Sequence, residues 1–253
     1  MRLARGPAAF AISLLAAFAR AEEPESTQPT DPTSINVEIG STAIVLPAPP
    51  GWVELTANRD AFRELIEAGI PADGRHLGTF GTVEVANDLD AARGMSEWAT
   101  AFTIRAQEEK GVSASEFLAI RLATRHQWEE IIKGTQEYVD EEVRKSSERM
   151  QEKLGTDVEL GIGELSTPGV FLDEPGAVGG LLTAASQTVV GDETTSFDMA
   201  MALIMLHVRS HVVVLSAYRD KASPSDFEAV KTVALRWMDA VRAANPEPAQ
   251  PAM

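Results

Sequence analysis

The chain has no cysteine among its 253 residues. That absence removes disulfides, thiol nucleophiles, thiolate metal ligands and a lipid-bearing cysteine together, so the fold must stand on its core alone. Histidine is nearly as scarce: His76, His126, His207 and His211 are the full set. His207 and His211 flank one turn, but no third ligand stands near them, and catalytic zinc takes three protein ligands. They read as turn-end polar residues, and His126, with no histidine four residues away, as a surface residue. Phosphate-loop chemistry is missing as well, because no Gly-Lys-Ser/Thr follows the glycines near Pro168-Gly169, Pro175-Gly176 and Gly179-Gly180, and Gly161-x-Gly163 lacks its third glycine. No Gly-x-Ser-x-Gly elbow occurs. Asp88, Asp90 and Glu97 suggest a calcium loop, yet Arg93 occupies the position where glycine is required, which leaves an acidic turn. The residues therefore mark no catalytic, cofactor or metal site, and no cofactor is expected.

Positive charge is the next deficit. Lys and Arg number 22 against 38 Asp and Glu, a net charge of −16. Such a polyanion is repelled by nucleic-acid backbones and anionic membrane faces, so nucleic acid is not an expected partner. With so many acids, pairs of carboxylates say nothing about glycosidase chemistry. Long apolar runs are also lacking. Pro7 to Phe18 spans 12 residues, short of the about 20 that a transmembrane anchor needs. It follows Arg2 and Arg5 and precedes Ala19-Arg20-Ala21 and Glu22, the pattern of a leader cut after Ala21. Ala19, Ala21 and Glu22 thus form the expected cleavage signal, and the expected location is exported, periplasmic or secreted. Cleavage would remove Arg2, Arg5 and Arg20 and no acid, leaving nineteen bases against 38 acids, or −19.

What is present reads as α+β: a mainly antiparallel sheet with helices on both faces, one long helix near 114–154 and a C-terminal helix near 224–244. Residues 1–21 are the leader, 22–33 a Pro-rich linker, 34–245 one domain and 246–253 a solvated tail. Organisation centres on Ser196 to Asp220, two strands joined at Arg209-Ser210-His211. Phe197, Met199, Met201, Leu203, Met205 and His207 fall on one face of the first strand, and Ala200, Ala202, Ile204, Leu206 and Val208 on the other. An inner strand covered on both faces explains that pattern.

Around it, Ile35 to Ile39 and Thr42 to Leu46 alternate as a hairpin about Gly40-Ser41. Trp52 opens a further strand, and Asn58 can cap a helix from Arg59 to Ala68 that carries Phe62, Leu65 and Ile66 on one side. Leu77 to Val85 and Trp98 to Gln107 are strand-like. Ser113 to Glu116 is a capping box opening the long helix, whose stripe is Trp128, Ile132, Val139, Val143, Met150 and Leu154, with Gly155 to end it. Glu129, Glu130, Glu137, Asp140, Glu141, Glu142, Glu148 and Glu152 fill much of the remaining surface. Val158 to Leu165, Val170 to Leu172 and Leu181 to Val190 are strand-like, punctuated by the Gly and Pro pairs. Ser223-Pro224-Ser225-Asp226 starts a helix with Phe227, Val230, Ala234, Trp237, Met238 and Val241 buried.

This order of elements, with Leu46 to Trp52 (LPAPPGW) and Leu215 to Asp220 (LSAYRD), resembles exported bacterial proteins of the PsbP-like α/β/α sandwich. The resemblance implies a non-catalytic interaction or assembly module with a protein partner of unknown identity. Two alternatives stand beside it: a periplasmic hydrolase with an unmarked site, and a carrier of an apolar small molecule beside Met199, Met201 and Met205.

Overall fold

Strands that are apolar on both faces must be covered on both, and the rest of the chain supplies the covers. In the computed structural model, which describes residues 33–57, 59–70, 73–87, 96–155, 157–191 and 193–246, ten strands form β1 (Ser34–Ile39), β2 (Thr42–Pro47), β3 (Trp52–Glu54), β4 (Gly74–Thr82), β5 (Glu97–Ile104), β6 (Val158–Ile162), β7 (Ser166–Glu174), β8 (Ala177–Val190), β9 (Glu193–Val208) and β10 (His211–Arg219). The helices are α1 (Asp60–Gly69), α2 (Val83–Asn87), α3 (Arg105–Glu108), α4 (Ala114–Leu154) and α5 (Pro224–Ala244). The expected leader and its cleavage residues Ala19, Ala21 and Glu22, the linker up to residue 32 and the tail beyond Pro246 lie outside the described residues. So do Asn58, Asp88, Asp90 and Arg93.

The main sheet has eight strands in the order β3-β4-β5-β10-β9-β8-β6, with β7 also paired to β8. Every pairing is antiparallel. One half of β8 bonds β7 and the other half β6, so two short strands share one edge. β9 and β10 sit inside, as the two-faced apolar pattern requires. Met199, Met201, Leu203 and Met205 point into a core closed by Phe62 and Ile66 of α1 and Trp128, Ile132, Val139 and Val143 of α4. Ala200, Ala202, Ile204 and Leu206 point into a second core closed by Val230, Ala234, Trp237 and Val241 of α5 and by Ile39, Ile44 and Leu46 of the β1–β2 hairpin.

Both long helices start where the sequence signals. Ser113 and Glu116 exchange side-chain and backbone bonds in a capping box, and Gly155 closes α4 at φ 63. Ser223 and Asp226 form the same box ahead of Pro224. Boundaries elsewhere move. The strand expected over Leu77 to Val85 ends at Thr82 and turns helical as α2, and the one expected to Gln107 ends at Ile104 before α3. Val83, 47% exposed, has left the sheet, where a strand residue would have to be covered. Arg59 occupies the cap position of α1 without a side-chain cap.

The largest correction concerns Gly179-Gly180, read as punctuation but found inside β8. Each is small for a different neighbour: a Cβ on Gly180 would stand 2.3 Å from two carbons of the Trp128 indole, and one on Gly179 would stand 2.8 Å from Leu203 O and 2.9 Å from Ile204 on the other face. Trp128 Nε1 donates to Thr167 Oγ1 at 2.6 Å, and the helix bends one residue earlier, at Gln127 (φ −126°, ψ 19°). Downstream, α4 closes the sheet edge with its own side chains. Ser147 Oγ accepts from Leu160 N at 3.0 Å, Gln151 Nε2 donates to Val158 O at 2.8 Å, and Gln136 Oε1 accepts from Leu165 N at 2.9 Å. A free strand edge is a template for pairing, and here it is filled by a helix.

Gly180→Ala should therefore cost about 1–3 kcal/mol by overpacking, measured by urea unfolding. In a Trp128→Ala background the added cost of the same change should shrink towards zero.

Candidate functional site

The four histidines do not converge. His126 is exposed on α4, as expected. His207 Nε2–H donates to Val112 O at 2.6 Å, and its ring stacks on Phe117 with centroids 5.1 Å apart. His211 is buried and bonds Thr42 Oγ1 through Nε2 at 3.0 Å; it opens β10 and is no part of the turn itself. His76 bonds Thr79 Oγ1 at 2.8 Å. Among the described residues no group of three or more His, Asp or Glu could hold a metal ion. Of the acids once weighed as a calcium loop, Glu97 instead pairs with Arg219, which also holds Asp226 at 3.1 Å.

Burial tunes His76 most. Its imidazole is lowered to about 4 by desolvation, opposed by a hydrogen bond to the backbone of Gly78 and helped by the charge of Arg63. A part of the residue stays open to solvent, which moderates the energy involved. The bulge at Leu77, where β4 slips against β5 between His76 and Gly78, places this ring on the α1 and α4 face beside Phe102.

Polar groups that sequence reasoning missed lie on the same face. Tyr218 stacks flat on Trp98, its cross-strand partner, with centroids 4.7 Å apart, and bonds Thr100 Oγ1 at 3.3 Å. Burial raises its phenol well above the usual range. Glu54 is also buried, and its carboxylate accepts from Thr56 N at 2.9 Å and Thr79 N at 3.3 Å. Such bonds tie loop to strand. On α4, Glu142 turns inward to meet Lys145 at 2.9 Å rather than joining the outer acids, and Tyr138 donates to Asp73 at 3.0 Å. A recess lined by Trp52, Glu97, Tyr218, Arg219 and Val230 encloses about 10 Å³, the room of one water. Met199, Met201 and Met205 are core residues, packed with Phe117 and Leu182.

The surface with a distinct character is the outer stripe of α4. Leu118 and Leu122, one turn apart, are 45% and 39% exposed. Arg125, on the same stripe, reaches Asp173 of β7 at 2.8 Å. Beyond the bend, Glu129, Glu130, Glu137, Asp140, Glu141, Glu148 and Glu152 are exposed. Arg144 pairs with Glu141 at 2.8 Å and also with Glu148. The far end of the helix is tied down from beneath, because Arg149 donates to Ala68 O at 2.7 Å and Ile70 O at 3.3 Å at the end of α1. No described helix is long and apolar enough to cross a membrane.

No family model and no curated protein matches this chain. It is similar to the solved structures of the Saccharomyces cerevisiae Ran-binding protein Mog1p and of a Mog1 mutant. One is the 1.9 Å crystal structure, 12% identical over 83% of this chain and 89% of that one, with a TM-score of 0.24. The other is a Mog1 mutant, 13% identical over 83% and 90%, with a TM-score of 0.26. At those values the likeness carries no argument about function. The expected PsbP-like resemblance is corrected, since no family matches and the structures found are of a Ran-binding protein. The expected exported location is withdrawn on the same finding. LPAPPGW and LSAYRD mark packing instead: the first leads from β2 into edge strand β3, and the second carries the Tyr218 stack and the Arg219 ion pairs.

The titration of His76 makes a checkable demand. Its folded value lies below the unfolded 6.5, so the unfolded chain binds more protons between the two and stability falls as pH drops through that window. The loss should reach roughly 2 kcal/mol by pH 4 in urea unfolding, and His76→Gln should flatten that slope.

Proposed function

We propose that this chain is a non-catalytic interaction module that binds a protein partner through the outer stripe of α4. The observation that carries the reading is the exposed pair Leu118 and Leu122 on a helix otherwise charged towards solvent. Scattered apolar residues are ordinary on a surface, but two leucines one turn apart on one helix make a knob that fits a groove. The acids that follow, together with a net charge of −16, favour a partner face rich in Lys and Arg, since complementary potentials steer encounter and select partners. Strand addition is a poorer mode here. α4 side chains fill the edge at β6, and Pro168 and two register shifts interrupt β7, features that blunt pairing.

The other two readings lack a supporting observation. A hydrolase needs convergent polar groups at a cleft, whereas the buried carboxylates Glu54, Glu142 and Asp226 lie on separate elements, each with a structural partner of its own. The carrier reading needs a lumen beside methionines that are core residues.

A photocrosslinking side chain at position 122 should trap a discrete partner in the native cell, and the same probe at Lys221, on the loop before α5, should not. Leu118→Asp with Leu122→Asp should weaken that partner about 10- to 100-fold, equivalent to about 1.4–2.8 kcal/mol, with the melting temperature nearly unchanged. Wild-type affinity in the double variant would refute the reading.

A further inference from the structure

The turn between β9 and β10 is built against preference. Arg209 and Ser210 both take positive φ, 49° and 63°. Two-residue hairpin turns need that twist and ordinarily use Asn-Gly to supply it. Here two side-chain-bearing residues are held in place from outside. Ser210 O accepts from Val112 N at 2.6 Å, with Gly111 packed so closely that a Cβ there would stand 2.8 Å from the same oxygen. Arg209 Nη1 donates to Ala43 O at 2.7 Å. Next in the chain, His211 bonds Thr42. Thus the turn grips the tip of the β1–β2 hairpin on one side and the loop that starts α4 on the other.

His211 is the weak member of this grip. Its Nδ1 is buried and finds no partner among the described residues. A neutral ring tolerates that, because one nitrogen carries no hydrogen, but an imidazolium has two donors and the second would face no acceptor. We propose that the Arg209–His211 segment is an acid-sensitive clasp, and that protonation of His211 releases the tip of the β1–β2 hairpin, Ile39 to Ala43, from the main sheet.

The surrounding charges argue the same way. His207 on β9 opposes a second positive charge, Arg209 on the turn is engaged with Ala43 O, and Arg75 of β4 engages Glu108 of α3 at 3.0 Å, drawing on the carboxylate that would favour it. Glu109, Lys110 and Glu38 are exposed to solvent. Burial first and His207 second lower the His211 value, against Glu108. The neutral ring is therefore the native form, and the grip is complete above the unfolded value of 6.5 and weakens as pH falls. The clasp rests on His211 and not on His207, whose Nε2–H already donates to Val112 O. Release stays local, because the hairpin is also tied lower down. Asn245 bonds Val45 N at 2.9 Å and Val45 O at 2.7 Å, and Trp237 Nε1 donates to Pro47 O at 2.7 Å.

Hydrogen exchange of the full chain, corrected for the intrinsic pH effect, reads this directly. Between about pH 7.5 and pH 5, amides from Gly40 to Ile44 should exchange at least about tenfold faster while those at the centre of β9 and β10 hold. His211→Gln should abolish the acceleration, and Thr42→Val should make the tip fast already at pH 7.5. A tip that exchanges alike at both pH values would overturn the clasp. So would an acceleration that persists in His211→Gln, or one that spreads equally through β9 and β10, which would report the global loss due to His76.

Discussion

Covering both faces of β9 and β10 is the constraint on which the other elements depend. The two faces are solved with different side chains. Methionine and leucine on one face meet the broad, bent surface of α4 with α1. On the other, Ala99, Ala101, Ala200, Ala202 and Ala217 leave shallow ground where α5 settles, with Trp237 packed edge-on to Phe80 at 5.1 Å. A single helix of 21 residues cannot roof a sheet this wide, so the β1–β2 hairpin lies beside it and Asn245 stitches the two together through Val45. Fully burying one such Leu or Ile contributes about 1.5–3 kcal/mol, which makes these covers the main store of stability in a chain without disulfides.

Edges follow from the same demand. Once a sheet is sandwiched, its rim still offers unpaired N–H and C=O groups. Along β6 that rim is answered by Ser147 and Gln151 of α4, with Gln136 bonding Leu165 N just beyond it, so one helix both roofs a face and seals an edge. Doing so fixes which stripe of α4 looks outward, and hence where Leu118, Leu122 and the acids are displayed. The exposed stripe and the protected edge are two sides of one helix.

Acid sensitivity has a common origin in this packing. His76 and His211 are neutral where they sit because the covers exclude water, one under α1 and α4 and the other under the hairpin tip. Both destabilise on acidification, but His76 belongs to the body of the sheet and His211 to an appendage, so the same chemistry acts globally in one place and locally in the other.

Much of the fold was legible in the residues. Alternation placed β9 as an inner strand, two capping boxes marked the starts of α4 and α5, and the spacing of Trp128, Ile132, Val139 and Val143 gave the buried stripe. These are signals of local periodicity, which short stretches carry on their own. The sequence could not say that Gly179 and Gly180 lie within a strand, because the smallness of Gly180 answers Trp128 of α4 and that of Gly179 answers Leu203 and Ile204 of β9, all distant in the chain. Nor could it separate Leu118 and Leu122 from core leucines, or Glu142 from the outer acids, since burial depends on whether another element arrives to cover a side chain. The sequence by itself determined the periodicities, the caps and the charge. Only the tertiary structure decided which apolar groups remain uncovered and which histidines lose their water, because both are properties of neighbours brought together from distant parts of the chain.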